Sequence, residues 1–467
     1  MIETMRIGSF GLVVLLFLAA SAVAEPPANG RFANSGYNGK GCADQPQPGL
    51  VIDKSNVGNY GCFLPEAAIE VVKHGFKIRI AKVHELDWPH GYKQATEKYG
   101  PQVRLDADDN LANYVAGMPF PLVDISDPKA ARKIAYNWHM GPFMPDDFSL
   151  TPWGSFAYSD SGDGSLKPIH SDPDHTFICD EFRFLRFAHR TEIDPRPTLG
   201  ENAQGVEWKA RCNNWNGSGE NPHGAQSIWL RFLDPRHGDE SFISDSAARK
   251  MSRVSVVPPY LNHQCRGCHQ PYWAYALPKT EIYSYRLLGT TPILGCLTAD
   301  DEPAGFRGRD SQAGDLQLGI ATVAFGEEPF EMRSAYIIEM IPVDPTFSNW
   351  RALVWIDTET YVWLGAEFFE SNLKTETPEL QEVAIPLWRT HPAPGGGFLF
   401  DLAGSFYVPL TYQPSFPTNP SHATFAQSGE KPWFFRSVVP SHGPYDQKIN
   451  VGDSNEVIFN PRWRGGE

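Results

Sequence analysis

Cys265-Arg266-Gly267-Cys268-His269 is the densest run of chemically capable side chains in the sequence. Two thiols separated by two residues and followed at once by an imidazole form the Cys-x-x-Cys-His pattern of c-type haem attachment. The chemistry requires that spacing. The thiols add to the two vinyl groups of one porphyrin edge, and His269 then reaches the iron as its proximal ligand. Met251, Met332, Met340 and His263 are available as a sixth ligand, and no spacing selects one. The competing reading is a disulfide: Cys265 or Cys268 with Cys296, beside the pairs Cys179 with Cys212 and Cys42 with Cys62. Seven cysteines leave an odd thiol under either reading, so parity does not decide between them. Zinc at Cys265, Cys268 and a histidine lacks a visible second ligand pair.

Other polar groupings carry less. His170, Asp172, Asp174 and His175 could hold a metal, but Pro168 and Pro173 with upstream glycines make a solvated loop the plainer reading. Gly305 to Gly308 and Gly395 to Gly397 do not precede helices, which disqualifies them as phosphate loops. There is no Gly-x-Ser-x-Gly elbow and no His-Glu-x-x-His, and no catalytic residue is assigned. The formal charge of −15 and the lack of a Lys/Arg run argue against nucleic-acid binding.

Met1 to Ala24 reads as an export signal: Arg6, an apolar stretch from Phe10 to Ala20, then Ala22-Val23-Ala24 as a small-x-small cleavage site. The apolar run is shorter than the ~20 residues that span a bilayer, so a soluble, exported chain is expected. Residues 25–64 form an irregular arm rich in Gly, Asn and Pro. Pro65 opens a helix to about His74, Lys77 to Lys82 has strand spacing, and a short helix covers Tyr92 to Tyr99. Ser126-Asp127-Pro128 reads as a helix start, with Ala131, Ile134, Ala135 and Trp138 on one face.

From Phe156 the pattern turns to strands: 177–187, 227–233, 250–257, 282–288, 334–341, 351–356 and 361–369. The short links 342–349 and 357–360 imply an antiparallel meander. Bulky residues on both faces, such as Val354 beside Trp355, mean that the sheet is covered on both sides or curls around something apolar. Beyond Pro392 the Gly395-Gly396-Gly397 turn and scattered prolines describe a loose, extended tail.

The long-range pattern resembles a known family. Leu64-Pro65-Glu66, then Tyr92 with Ala95-Thr96-Glu97-Lys98-Tyr99, Val103-Arg104-Leu105 and Tyr114-Val115-Ala116-Gly117-Met118-Pro119-Phe120-Pro121 are similar to the N-terminal signature of a Gram-negative periplasmic family of unknown function, often called outer-membrane lipoprotein-sorting protein. The resemblance continues through Arg231-Phe232-Leu233-Asp234-Pro235-Arg236-His237-Gly238-Asp239-Glu240-Ser241, Arg249 to Arg253, Tyr285-Arg286-Leu287-Leu288-Gly289 and Val354-Trp355-Ile356-Asp357, covering about residues 60 to 370. A haem motif is not part of that family's common pattern.

The resemblance implies a mainly β, α+β fold of the LolA/LolB kind: a large bent antiparallel sheet, or half-open β-barrel, covered by helices. It also implies a carrier for a lipid or other hydrophobic molecule, working with an envelope transporter. The expected layout is a signal peptide 1–24, the arm 25–64, one carrier-type domain 65–391 and the tail 392–467. Tyr336, Ile338, Trp355, Trp363 and Phe368 are the residues offered as cavity lining. The alternative function is a monohaem protein for periplasmic electron transfer or oxidation, with Cys265 and Cys268 holding haem c and His269 on the iron.

Overall fold

The computed structural model describes residues 44–142, 145–150, 153–160, 166–168, 177–200, 205–215, 226–245, 250–254, 279–299, 327–345, 350–371, 378–409, 434–438 and 448–449. β-branched and aromatic stretches dominate these residues and join into one 18-stranded sheet. From one end, Lys250–Val254 leads through Glu240–Asp245, Gln226–Phe232, Val206–Trp215 and Phe177–Arg186 to Trp153–Asp160. The sheet then crosses to Phe434–Val438 and continues through Phe398–Pro409, Pro378–Pro392, Trp363–Ser371, Trp350–Asp357 and Glu327–Pro342 to Tyr283–Gly295. All these pairings are antiparallel. Lys77–Ile80 is different: it runs parallel to the start of Glu327–Pro342 and pairs on its other side with Val51–Ile52.

The sheet curls until the entry to Tyr283–Gly295 meets the turn that follows Gln226–Phe232. Lys279, at the entry to Tyr283–Gly295, donates its ammonium to the carbonyls of Asp234 at 2.9 Å and His237 at 2.6 Å, in the turn that follows Gln226–Phe232. The result is a mainly β half-barrel with few helices among the described residues, as the family resemblance implied, built on the antiparallel meander read from strand spacing.

Both faces of the sheet are covered, as its two-sided apolar strands require. Along Pro378–Pro392 the side chains alternate: Val383, Ile385 and Leu387 join one buried cluster, Ala384 and Trp388 the other. The bulge opposite Leu387 and Trp388 lies in the facing strand, Phe398–Pro409, and resets its alternation, so that Phe406 joins the first cluster while Phe400 and Leu402 join the second. The first cluster takes in α1 (Glu66–Lys73) through Ala68, Val71 and Val72. The second, larger one takes in α2 (His90–Tyr99) through Tyr92 and α3 (Ala130–His139) through Ala131, Ile134 and Trp138. Each fully buried large apolar side chain contributes about 1.5–3 kcal/mol, so this double layer is the main source of stability.

Polar side chains fix how α3 and its neighbours sit. Asn137 is fully buried and clamps the preceding loop, donating to the Phe120 carbonyl at 2.7 Å and accepting from the Phe120 N–H at 2.9 Å. Gly117 lies at φ +85, and a Cβ there would come within 2.4 Å of the Thr96 nitrogen, so the loop passes α2 only with glycine at this place.

Two expectations are corrected. The third helix begins at Ala130 rather than near Pro128, because the Asp127 carboxylate accepts from the Lys129 N–H and Ser126 turns back to Asp124. These local side-chain bonds hold the entry as turns. The loose tail beyond Pro392 instead supplies Phe398–Pro409, Phe434–Val438 and Lys448–Ile449 to the sheet. In backbone register Cys179 lies opposite Asn214 and Cys212 opposite Phe182, on neighbouring strands.

Candidate functional site

A cavity of about 470 Å³ lies beside α3, where the entry to Tyr283–Gly295 meets the ends of Phe177–Arg186 and Gln226–Phe232 and the start of Val206–Trp215. Its size falls in the range of small-molecule sites. Leu111, Val115, Met140, Trp208, Phe232 and Leu233 supply apolar wall. Leu233 is 42% exposed and stands at the mouth, while Trp208 is 3% exposed.

α3 roofs the cavity with Tyr136, His139 and Met140. The helix is pinned over it by Arg132, whose guanidinium donates to the carbonyls of Thr280 at 2.6 Å and Tyr283 at 2.9 Å. Tyr136 donates its hydroxyl to Glu281 at 3.1 Å. Burial, and then the Glu281 charge, push the Tyr136 phenol well above its ordinary range, so it stays protonated. Burial does the same to Tyr114, whose hydroxyl donates to the Gly117 carbonyl at 2.8 Å. His189, at φ +63, has its Nδ1 2.7 Å from the Val115 carbonyl, and burial lowers its pKa from 6.5, which favours the neutral ring. Burial lowers the Lys279 pKa as well.

The two arginines of the cavity differ. Arg231 is matched: its guanidinium reaches Asp239 with contacts of 2.7 and 3.2 Å and lies 4.9 Å over the Trp208 ring. Arg186 is 6% exposed, its Nε meets no acceptor, and among the described residues its guanidinium makes no hydrogen bond or ion pair. A buried cation in that state is costly and stands out against the satisfied polar groups around it.

The residues offered as cavity lining lie elsewhere. Tyr336, Ile338, Trp355, Trp363 and Phe368 are all 9% exposed or less and belong to the larger core cluster. None of them lines the cavity. Strand register puts Tyr336, Ile338, Trp363 and Phe368 on one face and Trp355 on the other, paired with Gly365, whose neighbour across the packing is Pro65. Cys265, Cys268 and His269 lie outside the described residues, as do His263, Cys42 and the His170 to His175 cluster. Of the sixth-ligand candidates, Met340 is fully buried in the core. Among the described residues no group of three or more His, Cys, Asp or Glu is placed to hold a metal ion.

Sequence reasoning missed the cavity because its members come from six separate segments. One signal was present: Arg231 to Asp239 stood out as a block, and it forms one rim.

Residues 51–176 match DUF1329, a protein family of unknown function. No curated protein matches the chain. Among solved structures it is similar to a DUF1329 family protein from Desulfovibrio piger, at 10% identity over 71% of this chain and 97% of that one, with a TM-score of 0.38. It is also similar to a domain of an outer membrane lipoprotein-sorting protein from Vibrio parahaemolyticus, at 10% identity over 70% and 95% with a TM-score of 0.37. A LolA superfamily protein from Nitrosomonas europaea gives 10% identity over 70% and 96%, with a TM-score of 0.29. The family resemblance first read from the sequence blocks is thus a match, over residues 51–176, to DUF1329.

Proposed function

We propose that this chain is a periplasmic carrier that binds a lipid or another hydrophobic molecule in the cavity at the seam of its half-barrel. The observation that supports this most is the cavity itself: a space of about 470 Å³ whose wall mixes apolar side chains such as Met140, Trp208 and Phe232 with polar and charged ones, with Leu233 exposed beside it. Burying a sixteen-carbon chain would yield on the order of 10 kcal/mol gross, at about 0.8 kcal/mol per methylene, before ordering costs. The segment Met1 to Ala24 would direct export, and among the described residues no helix is long and apolar enough to cross a membrane. Handover to an envelope transporter is part of the proposal. A disulfide between Cys42 and Cys62 would tie the arm. Purification from its native compartment followed by solvent extraction and lipid mass spectrometry tests the reading. A reproducibly empty protein with no affinity for fluorescent fatty-acid probes would remove it.

A second reading rests on the position of the Cys-x-x-Cys-His motif. In the chain it falls between Lys250–Val254 and Tyr283–Gly295. Cys265 and Cys268 would hold the group and His269 would bind iron, serving electron transfer or oxidation. Expression with haem-maturation machinery gives the test. A Soret band that survives denaturation is expected, and colourless protein with Cys265 or Cys268 mapped to a disulfide refutes it.

A further inference from the structure

The geometry points to Arg186 as the residue that pairs the singly charged anionic headgroup, a carboxylate or phosphodiester, of an amphipathic ligand held in the seam cavity. This rests on the carrier reading and specifies which ligands the carrier takes. Every other strong donor on the cavity wall has a protein partner. Arg231 is engaged by Asp239, Lys279 by the carbonyls of Asp234 and His237, Tyr136 by Glu281 and Tyr114 by the Gly117 carbonyl. Arg186 alone among them lines the cavity with no described acceptor, although it is 6% exposed and its Nε is sealed from solvent.

A guanidinium offers a planar fork of donors that matches the two oxygens of a carboxylate or phosphate. The rest of the lining limits the charge of the guest. Glu207 and Glu281 also face the space and would repel a dianion, so a headgroup with one negative charge fits better than free phosphate. Met140, Trp208 and Phe232 lie within the same cavity, which gives the headgroup an apolar continuation for its tail.

The test compares a fatty acid with the fatty alcohol of equal chain length on the delipidated full mature chain, by fluorescence displacement or calorimetry. A charge-assisted hydrogen bond inside a cavity predicts that the acid binds at least about tenfold more tightly. Arg186→Gln is expected to abolish that preference and Arg186→Lys to retain part of it. Equal affinities in the wild type, or a preference that survives Arg186→Gln, would overturn the inference while leaving the carrier reading standing. Failure of both probes to bind would overturn both. Displacement of the fatty acid by equimolar inorganic phosphate would mark a free-anion site and also overturn the inference. The acid-to-alcohol comparison on the wild type needs no variant, so it decides even if Arg186→Gln fails to fold.

Discussion

Replacing Arg186 by methionine is expected to stabilise the ligand-free protein. Arg186 is 6% exposed and its Nε has no acceptor, so the folded state carries the desolvation cost of a cation without a compensating bond. A buried polar group left unsatisfied costs about 1–3 kcal/mol, more when charged. Methionine keeps most of the aliphatic stem against neighbouring Trp208, which pairs with Arg186 across the strands, so little packing is lost. The expected gain is about 1–3 kcal/mol in urea unfolding of delipidated protein. Arg231→Met in the same cavity is the control with opposite sign. It strands Asp239, whose side chain is 12% exposed, and removing one partner of a buried pair costs about 3–5 kcal/mol, toward the lower end for a carboxylate that keeps some access to water. An arginine kept for binding destabilises the empty fold, whereas one kept for structure supports it. Loss of more than about 1 kcal/mol in Arg186→Met would refute the reasoning, because it would mean that the fold already satisfies the guanidinium.

Other outcomes follow from the same physics. Arg333→Met removes the guanidinium that holds Asp357 at 2.7 Å, with both side chains 2% exposed or less, and should cost about 3–5 kcal/mol in equilibrium unfolding. Adding Asp357→Asn should recover part of that loss, and strict additivity in the double-mutant cycle would contradict the pairing. Because burial lowers the His189 pKa from 6.5, the unfolded chain takes up this proton first as pH falls. The stability tied to His189 is therefore complete above that value and declines below it. His189→Asn, which tolerates the positive φ, should flatten the stability profile between about pH 7 and pH 5, and an unchanged slope would remove His189 as its source.

The meander was legible because its links are short and its strands are rich in β-branched and aromatic residues, as in Trp350–Asp357 and Trp363–Ser371. Pro378–Pro392 was not read as a strand at all. Its prolines at 378, 386 and 392 mark breaks in a sequence window, yet the strand pairs on both sides, with a bulge on each pairing. Val206–Trp215 was hidden by charged residues such as Lys209 and Arg211, which sit on a strand because Trp208 and Ala210 anchor its other face. The tail strands were masked by proline-rich connections. For the site, apolar strand residues such as Tyr336 and Trp363 were chosen as lining because sequence cannot separate a wall from a filled core. The absence of a partner for Arg186 depends on how strands far apart in the chain come together. No local pattern encodes it.

The central claim is that the seam cavity is where a hydrophobic ligand sits. Photolabelling the purified chain with a diazirine-bearing fatty acid, followed by peptide mapping, addresses that location directly. The account predicts adducts concentrated on Leu111, Val115, Trp208 and Phe232, and competed away by unlabelled fatty acid. Saturable labelling confined to peptides remote from these four residues, or no saturable labelling, would contradict it.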